Sequence, residues 1–189
     1  ASRMTLLLDD TAVNSAALND AGYEDQGAVG SLVRGWNWRD SQFTVTSTAY
    51  AGSKAANLTV PGGHGWGLMQ NLAMRPLNAT RETYLDLVWR LQAYAPNINT
   101  RACVEVDLHD GHILFYYIAA FAGGLPSNGT WAAYFNVTGV GTTGAWIAMH
   151  RDLAHDYKAA FGSLPNTAVD AVTLLADVAV GPRLVLLLD

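Results

Sequence analysis

The residues best suited to chemistry lie in one stretch, Glu105-Val106-Asp107-Leu108-His109-Asp110-Gly111-His112. If the stretch is a strand, side chains alternate and the carboxylates of Glu105 and Asp107 share a face. Such a pair could serve as acid and base in glycoside cleavage, provided burial raises the pKa of one member. Two imidazoles across a turn, with a carboxylate nearby, could instead hold a transition metal. A polar or sugar-contacting sheet face would show the same residues with no reaction at all. The sequence has no nucleophile elbow, His-Glu-x-x-His or Cys-x-x-Cys, so a non-catalytic protein is expected.

Two other motifs carry less. His150-Arg151-Asp152-Leu153 spells a kinase catalytic loop, but the partner motifs of that machinery are missing. Asp152 is better read as a helix N-cap. Gly62-Gly63-His64-Gly65-Trp66-Gly67 precedes a strand-like run and not a helix, so it lacks the dipole and N–H cradle that bind phosphate.

The elements that must position these residues are mostly strands. Period-2 patterns, punctuated by Gly, Pro and Asn, place them near 4–9, 43–48, 55–60, 66–72, 83–93, 101–108, 112–120, 131–138, 145–150, 169–177 and 183–188. Residues 10–35 read as a long surface excursion. In 84–93, Leu85, Leu87, Trp89 and Leu91 point to a core. Asp110-Gly111 predicts a two-residue hairpin turn, with His109 opposite His112, Asp107 opposite Leu114 and Glu105 opposite Tyr116. That register puts Tyr116 beside the carboxylates and assigns Val104, Val106, Leu108, Ile113, Phe115 and Tyr117 to the core. Leu153, Tyr157 and Phe161, followed by Gly162, predict a short helix near 152–161 that covers one end of a sandwich.

The 189 residues suit one domain, 1–189. Sixteen acidic against 11 basic residues, with no basic cluster, set nucleic acid aside. The longest apolar runs, Ile113–Ala122 and Leu184–Leu188, are too short for a membrane-spanning helix. Only 14% of residues are charged, against about 25% in ordinary soluble domains. A surface so poor in charge is expected to be covered by sugar or by copies of the chain.

Four Asn-x-Thr triplets, at Asn57, Asn78, Asn128 and Asn136, are candidate acceptors of N-linked glycans. They point to an extracellular or cell-surface location, and an Ala-Ser start suits a trimmed leader. The single cysteine, Cys103, cannot form an internal disulfide. Of six tryptophans, Trp89 fits the core, while Trp36, Trp38 and Trp66 sit where an indole could face a sugar ring.

Met4-Thr-Leu-Leu-Leu-Asp9-Asp10, Ala49-Tyr-Ala-Gly52-Ser-Lys54-Ala-Ala-Asn57-Leu58, the Asp-Gly hairpin, the strand–helix–strand near Trp146 to Leu175 and the closing Leu184-Val-Leu-Leu-Leu-Asp189 resemble the galactose-binding-like jelly rolls of carbohydrate-binding modules. The resemblance implies an all-β, antiparallel jelly-roll β-sandwich whose first and last strands lie side by side. It also implies a structural Ca²⁺ held by Asp9 or Asp10, carbonyls around Gly52–Lys54, and Asp189; Asp10-Thr11 stands where a Glu-Gly pair is commoner. The leading functional expectation is a secreted, non-catalytic surface glycoprotein that assembles with copies of itself into a filament, tube or surface layer. The alternative is a carbohydrate-binding module that recognises a polysaccharide through Trp36, Trp38, Trp66, Glu105, Asp107 and Tyr116.

Overall fold

A computed structural model describes residues 5–8, 28–31, 37–39, 43–50, 52–77, 83–95, 100–120, 122–178 and 184–188. In chain order its strands are β1 (Thr5–Leu8), β2 (Asn37–Arg39), β3 (Phe43–Thr46), β4 (Ala55–Val60), β5 (His64–Leu77) and β6 (Thr83–Ala93). There follow β7 (Thr100–Leu108), β8 (Ile113–Ala119), β9 (Ala132–Asn136), β10 (Trp146–Asp152), the helix α1 (Leu153–Phe161), β11 (Thr167–Val178) and β12 (Leu184–Leu188). The first sheet contains β1, β6, β12, β4 and β3, with β10 also on β6; the second runs β2-β5-β11-β7-β8-β9. This is the expected β-sandwich with one short helix, with one departure: β8 and β9 pair in parallel. The short strand β2 was not legible as one, since its flanks carry no alternating pattern.

Alternation builds the core. Along β6, Thr83, Leu85, Leu87, Trp89 and Leu91 are buried, while Tyr84, Asp86, Val88 and Arg90 are half-buried on the outer face. The inner face of the second sheet supplies Val104, Val106, Leu114, Tyr116, Val172 and Leu174, so the two inner faces enclose one apolar layer. The first and last strands do not lie side by side as the resemblance implies: they pair with different stretches of β6, β1 with Thr83–Asp86 and β12 with Trp89–Ala93.

The β7–β8 hairpin corrects the expected register. Leu108 N donates to His112 O at 3.0 Å and Gly111 N to Leu108 O at 2.9 Å, which closes a three-residue loop, His109-Asp110-Gly111, with Gly111 at φ 87°. A left-handed glycine at the end of a three-residue loop is the second common way to use an Asp-Gly pair. Asp107 therefore faces Ile113, and Glu105 faces Phe115. One residue of slip exchanges the faces of β8. Tyr116 becomes fully buried core, whereas Ile113, Phe115 and Tyr117 join the carboxylates.

The helix forms where its caps predict. Asp152 Oδ1 accepts from His155 N at 3.0 Å, and Gly162, at φ 86°, donates its N–H to Lys158 O at 2.9 Å. Its buried Asp156 accepts from the Tyr116 hydroxyl at 3.0 Å and takes Arg151 through two bonds, Nε to Oδ2 at 2.9 Å and Nη2 to Oδ1 at 2.7 Å. Arg151 belongs to the first sheet and Tyr116 to the second, so this charge-assisted cluster ties the sheets together at one end.

Candidate functional site

On the outer face of the second sheet, β7 presents Arg101, Cys103, Glu105 and Asp107, β8 presents Ile113, Phe115 and Tyr117, and β9 presents Tyr134. The Phe115 and Tyr134 rings stack at 5.2 Å between centroids and 8° between planes. Phe115 thus rests on Tyr134 on one side, and its backbone pairs with that of Glu105 on the other. Tyr117 is tilted against Tyr134 at 6.3 Å and is buried. Its hydroxyl accepts from Arg101 Nη1 at 3.4 Å, and Arg101 Nε reaches Asp177 Oδ2 at 2.7 Å.

Glu105 and Asp107 stand two residues apart on the same face of β7, close enough to shift one another's ionisation. Burial, reinforced by the neighbouring Asp107 charge, pushes the Glu105 carboxyl up from its ordinary 4.5 to about 7. Burial also raises Asp107, with Asp170 adding repulsion and the bond from Glu105 opposing them. Burial favours the neutral carboxyl at Glu105, and a carboxyl beside a carboxylate can offer hydroxyl groups both a donor and an acceptor. The same burial pushes the Cys103 thiol up to about 12.

A carboxyl raised by burial, as acid–base chemistry requires, is therefore present at Glu105. Both carboxyls stand on one strand, two residues apart, and not across a cleft from one another as the pair that flanks a glycosidic bond does. The imidazoles also part company. His109 Nδ1 lies 3.1 Å from Asp170 Oδ2 on β11. His112 packs among Phe161, Trp131 and Tyr157 at 4.3, 5.0 and 5.2 Å, with its Nδ1 3.1 Å from the Tyr157 hydroxyl. That hydroxyl donates to Asp110 Oδ2 at 2.7 Å. Among the described residues no group of three or more His, Cys, Asp or Glu could hold a metal ion.

The remaining candidates fall as follows. Trp36 lies outside the described residues, as do the side chains of Trp38, whose backbone pairs with Leu68, and Trp66, whose backbone pairs with Ala176. Asn78, Asp9, Asp10 and Asp189 also lie outside them. Gly52 is an exposed turn residue at φ 76°, and Lys54 is half-buried beside β4. Leu188 pairs with Ala56, close to that turn, but Leu8 pairs with Thr83, six residues along β6 from the Leu188 partner Trp89. At about 3.3 Å per residue that is about 20 Å. Asn128 and Asn136 are exposed, and Asn128 Oδ1 accepts from Tyr134 N at 2.9 Å. Asn57 is half-buried in the middle of β4, where its Nδ2 donates to Thr59 Oγ1 at 3.5 Å.

Tyr116 is thus removed from the sugar-contact set, and the aromatic wall of Phe115, Tyr117 and Tyr134 was missed. Its signal was the uninterrupted apolar run of β8, in which either face could have been the buried one.

No family model and no curated protein matches the chain. Among solved structures the sandwich is similar to Family 16 Carbohydrate Binding Module-2, at 19% identity over 82% of this chain and 87% of that one, with a TM-score of 0.44. It is similar to the CBM22-1 xylan-binding domain from Paenibacillus barcinonensis Xyn10C, at 13% identity over 84% and 83%, TM-score 0.41. A structure from a comparison of family 12 glycoside hydrolases aligns at 8% identity over 80% and 93%, TM-score 0.40. These likenesses concern the sandwich and not the side chains of any site.

Proposed function

We propose that the chain binds a neutral polysaccharide, without cleaving it, on the outer face of the second sheet. The observation that carries this reading is the Phe115–Tyr134 stack, one strand across from the Glu105–Asp107 pair. A sugar ring has an apolar C–H face and a hydroxyl edge, and this wall and foot match both. The acids of this face, Glu105, Asp107, Asp170 and Asp177, outnumber its one guanidinium, Arg101, which disfavours an acidic chain.

Isothermal titration against a panel of neutral polysaccharides tests it. The native chain should bind one of them, and Phe115→Ala and Glu105→Gln should each weaken that binding with folding intact. Heat from none of them, or undiminished binding by both variants, overturns the reading. Release of reducing sugar that disappears in Glu105→Gln would replace it with a cleaving enzyme.

Self-association into a filament, tube or surface layer is a second proposal. It is favoured by the low charge of the chain. Electron microscopy of the purified protein tests it, and persistent monomers at high concentration remove it. Secretion with N-linked glycans at the exposed Asn128 and Asn136 belongs to both proposals.

A further inference from the structure

The first sheet has an outer face of its own. Strand register aligns Thr44, Asn57, Leu187, Arg90 and Trp146 in one row across β3, β4, β12, β6 and β10. Over this row lies an open groove of about 550 Å³, lined mainly by Thr46, Thr48, Asn57, Thr59, Arg90 and Gln92. The lining holds one cation and no acid.

Two of its polar atoms are buried without a hydrogen-bond partner, Arg90 Nε and Asn57 Oδ1. Buried polar groups are nearly always satisfied, so two orphans beneath one groove mark polar side chains that the chain itself leaves incompletely bonded there. Among the described residues Arg90 makes no ion pair. The nearest acid on its own strand, Asp86, is four residues away and bonds to His150 at 2.6 Å. Across β10, Trp146 stands directly opposite Arg90 and forms a tilted ring pair with Tyr50 at 6.1 Å, Tyr50 being 59% exposed.

We propose that this groove is a second saccharide site, specific for a sugar that carries a carboxylate, that is, a uronate residue of an acidic polysaccharide. The Arg90 fork takes the planar carboxylate through paired N–H bonds. Asn57, Gln92 and the threonines meet ring hydroxyls, and the Tyr50–Trp146 pair meets a neighbouring ring. A doubly charged phosphate fits less well, because one guanidinium without a helix N-terminus or a second cation neutralises only half of its charge. This site is independent of the one proposed on the opposite face.

The test uses the full chain from a host that does not glycosylate, so that Asn57 is bare. Titration with oligogalacturonate and with its methyl ester should show binding of the acid form only. Arg90→Gln should lower that binding roughly tenfold or more and Arg90→Lys by less, the difference between a forked and a point donor. Trp146→Ala, on an edge strand, should weaken it with the melting temperature of the remaining sheet preserved, and Phe115→Ala should leave it unchanged. Equal binding of acid and ester, full binding by Arg90→Gln, or no binding of oligogalacturonate and oligoalginate alike overturns the proposal. Loss of uronate binding in Phe115→Ala but not in Arg90→Gln would move the acidic sugar to the other face and also overturn it.

Discussion

The outer faces of the two sheets are built by the same alternation but treat charge in opposite ways. On the second sheet the ionisable groups engage one another: Arg101 with Asp177, Glu105 with Asp107, His109 with Asp170. On the first sheet Asp86 likewise meets His150, but Arg90 stands in a neutral groove with Nε unbonded. A face whose charges are internally matched discriminates by shape and hydroxyl geometry. A face with one unmatched cation discriminates by the charge of what it meets. Carboxylate content alone would thus sort ligands between the two sides of one sandwich.

The largest expected effect erases the comparison by loosening both sheets. Asp156→Ala strips Arg151 and buried Tyr116 of their shared partner, and loss of a buried partner of this kind costs about 3 kcal/mol. Urea unfolding should show that loss, while binding at both faces weakens together. Tyr134→Ala sharpens the comparison, because it removes the stack behind Phe115 and touches nothing in the groove. It should weaken neutral-polysaccharide binding about fivefold, read by titration, with uronate binding unaltered.

A smaller effect comes from Gly111→Ala. No atom lies within 4 Å of the added carbon, so the left-handed backbone at φ 87° alone sets the penalty, about 1 kcal/mol, visible in thermal melts.

The smallest expected effect is a difference in pH response. Glu105 titrates at about 7 when folded against an ordinary 4.5, so between those values the folded chain binds the extra proton and stability falls as pH rises. Glu105→Gln should flatten that slope. Neutral-polysaccharide binding should change over the same window as the Glu105 proton leaves. Uronate binding should not change between about pH 5.5 and about pH 8, where both a uronate and an arginine stay charged. A flat stability profile in the native chain would show that Glu105 is ionised throughout.

Local signals in the sequence were sufficient for the helix and for most strands. Asp152 and Gly162 mark the ends of α1 because capping is decided within one turn, and Leu85, Leu87, Trp89 and Leu91 mark a face because alternation is decided within one strand. Register was less legible. Ile113-Leu-Phe-Tyr-Tyr-Ile is apolar at every position, so no pattern pins which face turns inward, and Asp110-Gly111 suits loops of two or three residues. What fixes Tyr116 inside is a hydroxyl partner, Asp156, 40 residues further along. The groove row depends on β3, β4, β12, β6 and β10 coming into line, and nothing local to Asn57, Leu187, Arg90 or Trp146 announces their meeting.

Cys103 lies buried on β7, one strand across from Tyr117, with its thiol shifted to about 12. A thiol so far from its reactive anion hardly alkylates while the sheet is closed. Because it is the sole sulfhydryl of the chain, the rate at which a maleimide or disulfide probe consumes it becomes a clock for local breathing beneath the aromatic wall. A saccharide that clamps that wall should slow the clock, and one that seats on the far side of the molecule should leave it running.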